Sequence, residues 1–275
     1  MTRFIFFVAL VSIIIVSGGF FYSQRSQVRD WIFEYQKASL PEATKYTNTH
    51  DREYLYKNFD TDINTDTDIG IEVEIPEALN LAVPFTSQAP HANWDLPYKE
   101  TCEEASLLMV ARYKKGEVIT SPEDADREIL KLVEFQNNYF GDPAERGQSP
   151  AELSYYKDTT AEQTAEIARE YYGFKNTEVI YDFTIEDIKK ELALGNPIIV
   201  PAAGRQLGNP YFRRPGPLYH MLVIRGYTQG KFITNDPGTK RGEEFVYKYN
   251  DLLNAVHDWN GGEVDTGQKV MIVVR

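Results

Sequence analysis

Four side chains of this chain have the types that thiol acyl-transfer chemistry requires: Cys102, His220, Asp236 and Gln88. A cysteine nucleophile needs a base to take its proton, a group to orient that base, and a donor for the developing oxyanion. Cys102 is the single cysteine of 275 residues, so it cannot be half of an intrachain disulfide. It stands in Tyr98-Lys-Glu-Thr-Cys-Glu-Glu-Ala-Ser-Leu-Leu-Met-Val-Ala-Arg112, whose character is helical from Glu103 onward. Thr101 and Glu104 fit a capping box with Thr101 as N-cap, which makes Cys102 the first helical residue. Free N–H groups and the positive end of the helix dipole then favour thiolate. The plain alternative is a small buried hydrophobe, because free cysteine is among the most buried residue types.

Of the four histidines, His50 lies in a linker, His91 in a Pro-rich loop, and His257 beside Asp258 and Trp259, where a capping or surface role fits. His220 differs. It opens the apolar strand Tyr219-His-Met-Leu-Val-Ile-Arg-Gly-Tyr227. A strand–turn–strand passage then leads to Asn235-Asp236-Pro237-Gly238 on the neighbouring arm. Asp236 can fix one imidazole nitrogen and leave the other to face a thiol. The same four residues also suit an ordinary turn. Gln88 ends Pro84-Phe-Thr-Ser-Gln88, upstream of the cysteine, and its amide can join the Cys102 N–H at an oxyanion. As a lone loop glutamine it would carry no such meaning.

Taken in order, Val83-Pro-Phe-Thr-Ser-Gln88, Cys102-Glu-Glu-Ala-Ser-Leu-Leu-Met109, Tyr219–Tyr227 and Asn235-Asp-Pro237 resemble the thirty-ninth family of cysteine peptidases. These are the bacteriocin-processing, double-glycine peptidases and their free-standing relatives, within the papain-like superfold. The resemblance runs from about Leu79 to the C-terminus. It implies Cys102 as nucleophile, His220 as base, Asp236 as orienter and Gln88 as oxyanion-hole donor, acting on a peptide or protein substrate without a cofactor. The chain departs from the family's frequent Cys-Gly-Pro, having Cys102-Glu103-Glu104, and two carboxylates there would raise the thiol pKa. No G-x-x-x-x-G-K-[ST] is present, so the chain is not a transporter-linked member.

The elements that must position these residues read as helices first and strands second. Leu81–Phe85 reads as a short edge strand, and the Cys102 helix runs to about Lys115. A second helix starts at Ser121-Pro122, and a third spans Thr160–Tyr172. Then come a strand at Thr177–Tyr181, a helix at Thr184–Leu194 and a buried strand at Pro197–Pro201. Strands at Tyr219–Tyr227, Lys231–Asn235 and Glu244–Tyr247, a helix at Asn250–Trp259 and a strand at Val270–Val274 complete it. This order predicts an α+β, papain-like fold with a helical subdomain packed on an antiparallel sheet.

Three regions follow: residues 1–23, an acidic Thr/Asp-rich linker over 24–78, and the peptidase-like domain over 79–275. Phe4–Tyr22 carries no charge and as a helix would span roughly 28 Å, near a bilayer core. It reads as a signal-anchor or a signal peptide. Phe20-Phe21-Tyr22 continue the apolar run past the weak cleavage site at Val16-Ser-Gly18, which favours the anchor. A short helix over Asp30–Gln36 can follow it. Either reading predicts a membrane helix or a secreted chain, with the domain outside the cytoplasm. Asp60–Asp68 looks like a calcium loop but lacks the Gly and Glu an EF-hand needs, and reads as a solvated acidic stretch. The histidines have no zinc-ligand spacing. A net charge of −12 argues against a nucleic-acid partner.

The loop Ala202–Pro217 carries Arg205, Arg213 and Arg214, which suit acidic peptide groups or simply a solvated loop. Two other functions compete. One is a catalytically idle module of the same fold that binds a peptide or wall component. The other is a cell-wall amidase, disfavoured because Asp236 fits the third position where such enzymes often use a second His.

Overall fold

The computed structural model describes residues 24–45, 75–141 and 158–275. The described residues form two units, one over 24–40 and one from Pro41 onward. In the first unit a helix, α1, covers residues 24–38, longer at both ends than the juxtamembrane helix expected. The apolar run 4–22 and the acidic stretch 60–68 lie outside the described residues. Among the described residues no helix is long and apolar enough to cross a membrane.

The second unit is α+β. Helices α2 (Cys102–Lys114), α3 (Pro122–Phe140) and α4 (Ala161–Glu170) come first, and α5 (Ile185–Ala193) and α6 (Tyr249–Ala255) lie among the strands. All strand pairs are antiparallel, in the order β2 (Thr177–Tyr181), β7 (Val270–Val274), β3 (Ile198–Ala203), β4 (Tyr219–Thr228), β5 (Lys231–Asn235), β6 (Phe245–Lys248). The inner strands β3 and β7 are buried throughout, and β4 in all but its last residue, as apolar runs covered on both faces must be. Helix ends follow local chemistry. Ser121 caps α3 with Pro122 inside its first turn, and Thr160 and Thr184 form capping boxes on α4 and α5.

Two expectations fail locally. The first strand, β1, is Leu79–Asn80 rather than Leu81–Phe85. It pairs with the far half of β4, while Leu81 N–H already bonds the Arg225 carbonyl and Val83 N–H turns back to Leu81. Pro84 offers no N–H to prolong a ladder. The Thr101–Glu104 capping box does not form either. Cys102 is the first helical residue, but the Thr101 hydroxyl bonds the carbonyls of Gln88 and Tyr98 instead of a helix N–H.

The β4–β5 hairpin turns tightly at Gln229-Gly230, with Gly230 at φ +74° supplying the left-handed residue. Its register slips by one. Gly226 pairs with Ile233, but Ile224 pairs with Thr234, so Arg225 is a bulge. A one-residue slip turns the first half of β4 over relative to β5. Continued past the Val223–Asn235 pair, this register puts His220 and Asp236 on the same face. A regular hairpin would have set them on opposite faces. The Arg225 side chain is buried and holds the bulge, donating to the Leu81 carbonyl at 2.8 Å and to Asn235 Oδ1 at 3.2 Å.

Candidate active site

His220 and Asp236 are buried and joined, Nε2 to Oδ1, at 2.7 Å. Asp236 is acceptor to three further donors. Gly238 N–H reaches Oδ1 at 3.0 Å, and Oδ2 takes Asn209 Nδ2 at 3.0 Å and the Tyr247 hydroxyl at 2.6 Å. Burial alone would push this carboxyl up. The His220 charge and bond, with the Tyr247 and Gly238 donors, outweigh burial and hold it below the usual carboxylate range. An ionised Asp236 can only accept, so Nε2 of His220 donates to it and Nδ1 is the nitrogen left to face another group. Burial, then Asp236, pushes the Tyr247 phenol well up, so it stays a donor.

Space around the ring is as tightly set as its bonds. A Cβ on Gly238 would lie 2.8 Å from His220 Cε1 and 2.8 Å from Phe212 Cε1. Phe212 meets the imidazole edge-on, with centroids 5.3 Å apart. The Asn235–Gly238 turn therefore supplies both the carboxylate and the room for the ring.

Gln88 is tied to both halves of the site. Its N–H bonds the Pro237 carbonyl at 3.0 Å, and its own carbonyl accepts the Thr101 hydroxyl at 3.1 Å. A continuous path thus runs from the Asp236 turn through Gln88 to the residue before Cys102. The Gln88 side chain, however, donates both amide hydrogens to the carbonyls of Tyr98 and Lys99, at 2.9 and 3.0 Å. Its Oε1 is buried without a partner. Turning the amide over would set oxygen against two carbonyl oxygens, so this orientation is fixed.

Cys102 is buried at the start of α2. Its face of the helix meets β4. Ser106, one turn on, donates to the Met221 carbonyl at 3.1 Å. The start of α2 lies toward the Tyr219 end, because Tyr219 Oη donates to the Thr159 carbonyl while Thr159 N–H donates to Glu103 Oε1. The thiol does not bond His220. Sγ donates to Glu103 Oε2 at 3.1 Å. Burial first, then the charges of Glu103 and Asp158, push the Cys102 thiol well up. Burial, then Asp158 and Glu104, likewise raises the Glu103 carboxyl, and burial, then Glu100 and Glu104, raises Asp158. Carboxyls crowded side by side cannot all ionise.

Residues 80–261 match the Peptidase_C39 like family. The chain belongs to that family. A solved structure from Bacillus anthracis, by its name a C39-like peptidase, is similar at 19% identity and TM-score 0.45. It covers 73% of this chain and 98% of its own. No curated protein matches.

Three residues of this candidate site are not among those the sequence singles out. Asn209 sat in a loop read for its arginines, Tyr247 in an ordinary strand, and Asp158 beyond a polar loop. The alternation of β6, with Phe245 and Tyr247 facing inward, was the one available signal for a buried hydroxyl needing a partner. His257, expected to cap or to lie at the surface, is half-buried and bonds the Gly267 carbonyl through Nδ1 at 2.8 Å. Its neighbour Asp258 accepts from Ala161 N–H at the start of α4. Among the described residues no group of His, Cys, Asp and Glu could hold a metal ion.

Proposed function

We propose that the chain is a thiol peptidase that hydrolyses peptide bonds by a Cys102–His220–Asp236 mechanism. The observation that carries this is the 2.7 Å His220–Asp236 bond, which engages Nε2 and leaves Nδ1 as the nitrogen that can serve as base. His220 Nδ1 takes the Cys102 proton, and the thiolate attacks the substrate carbonyl carbon. The Cys102 N–H, at a helix start, and the Gln88 amide then receive the oxyanion. Gln88 must release the Tyr98 or Lys99 carbonyl to do so. His220 passes its proton to the leaving amine, and water hydrolyses the acyl-enzyme with His220 again as base. The apolar run 4–22 supports a membrane tether or secretion, and hence action outside the cytoplasm.

One observation favours a second reading, an idle peptide-binding module. The thiol is engaged by Glu103, and both Gln88 N–H groups are taken. Digestion of a proteome-derived peptide library by the full chain, with mass spectrometry of the products, separates the two. Cleavage by the wild type that vanishes in Cys102→Ala supports the peptidase. Peptide binding without any cleavage selects the module.

A further inference from the structure

The chain is acidic overall, yet the segments beside His220 reverse that charge. Residues 204–218 contain Arg205, Arg213 and Arg214 and no Asp or Glu, and the turn 237–242 adds Lys240 and Arg241 and again no acid. These cations are brought together. Gly216 N–H bonds the Arg213 carbonyl at 2.8 Å. A Cβ on Gly216 would lie 3.7 Å from Arg205 Cα, so Arg205 sits against the turn that carries Arg213 and Arg214. Arg241 reaches across, its guanidinium 5.1 Å from the Tyr211 ring centroid. The cluster also adjoins the candidate site. Phe212, between Tyr211 and Arg213, touches the His220 ring, and Gly238, two residues before Lys240, packs on that ring.

Arg205, Arg213 and Arg214 are exposed and form no ion pair among the described residues. The adjoining acids do not cancel them. Asp236 is buried and committed to four donors, Glu243 follows the turn, and α6, packed on residues 204–207, brings one exposed acid, Asp251.

We infer that this arginine-rich rim selects acidic peptide substrates, binding Asp or Glu side chains that flank the scissile bond. Arginine forks match carboxylates bidentately, and a cationic rim on an anionic molecule concentrates anionic segments at that one place. The inference rests on the peptidase reading, and its test is chosen to be separable from it.

The binding of a fluorescein-labelled Glu-rich peptide to full-length Cys102→Ala is measured by anisotropy, beside the same peptide with Gln for Glu. The Glu peptide should bind about tenfold tighter or more at low salt, and the preference should shrink as salt rises. The Arg205→Gln/Arg213→Gln/Arg214→Gln variant should lose it with an unchanged circular dichroism spectrum. Equal affinity for the two peptides, no binding of the Glu peptide, or a preference surviving the triple change overturns the inference. So does tighter binding to phosphatidylglycerol vesicles that the triple change abolishes while leaving peptide binding intact. Acidic-peptide binding without library cleavage by the wild type sinks the peptidase reading alone.

Discussion

Tyr247 and His220 hold Asp236 from its two oxygens, the phenol on Oδ2 at 2.6 Å and the imidazole on Oδ1 at 2.7 Å. The phenol, with Asn209, completes the acceptor capacity of a fully buried carboxylate and keeps it ionised. Tyr247→Phe removes one charge-assisted bond, worth about 1.5–3 kcal/mol. We expect kcat/KM to fall roughly tenfold to a hundredfold, with the acid limb of its pH profile moving up as the Asp236 carboxyl rises. A pH–rate series on a cleaved library peptide reads this out. Loss of stability with an unmoved profile would assign Tyr247 to packing alone.

Gly238 is required for space rather than for an unusual backbone angle. Gly238→Ala places a methyl within 2.8 Å of His220 Cε1 and so pushes the ring away from Asp236. Activity should drop by about a hundredfold or more, since misplacement of a catalytic group by about 1 Å has that effect. A crystal structure of the variant should show the ring displaced, and an unmoved ring with full activity contradicts the packing account.

Glu103 restrains the thiol. It accepts the Sγ–H bond and, once ionised, sets negative charge beside a buried sulfur. Glu103→Gln should lower the thiol pKa and raise the rate of iodoacetamide alkylation at neutral pH, about tenfold for each unit by which the thiol falls. Wild-type labelling should climb steeply on the alkaline side. Identical pH–rate curves for the two proteins would remove Glu103 from the account.

The same acids set how stability varies with pH. Glu103 and Asp158 have folded pKa values raised above their unfolded values of about 4. Below that value both states hold the protons. Above it the unfolded chain releases protons that the folded chain keeps, so stability falls as pH rises toward the folded values, by at most about 1.4 kcal/mol per pH unit per group. Asp236 is opposite. Its folded value is lowered, so its contribution is present above about pH 4 and is lost as pH falls through the folded value. Thermal unfolding from pH 5 to 8 should show a falling Tm, and Glu103→Gln should flatten the slope.

Much of the fold was legible because apolar runs and breakers coincide with its elements. The strands at 177–181, 231–235 and 270–274 lie where alternation and apolarity put them, and Cys102 starts its helix. What the residues could not reveal is relational. The Arg225 bulge decides which face His220 occupies, and its one local sign, Gly226 inside the strand, marks a close backbone approach as readily as a bulge. The Thr101 hydroxyl had two carbonyl partners brought from afar, and these outcompeted the helix N–H a capping box would supply. Glu103 and Glu104 were visible as a threat to the thiolate, but Asp158, which deepens it, comes from 55 residues on.

The central claim is that Cys102 reacts through His220. Its most direct test is the rate at which a peptidyl vinyl sulfone forms an adduct on Cys102, located by mass spectrometry, in the wild type, His220→Ala and Asp236→Asn. The account predicts an adduct on Cys102 in the wild type, slowed at least about a hundredfold in His220→Ala and markedly in Asp236→Asn. Equal rates in wild type and His220→Ala, with both folded, would contradict it.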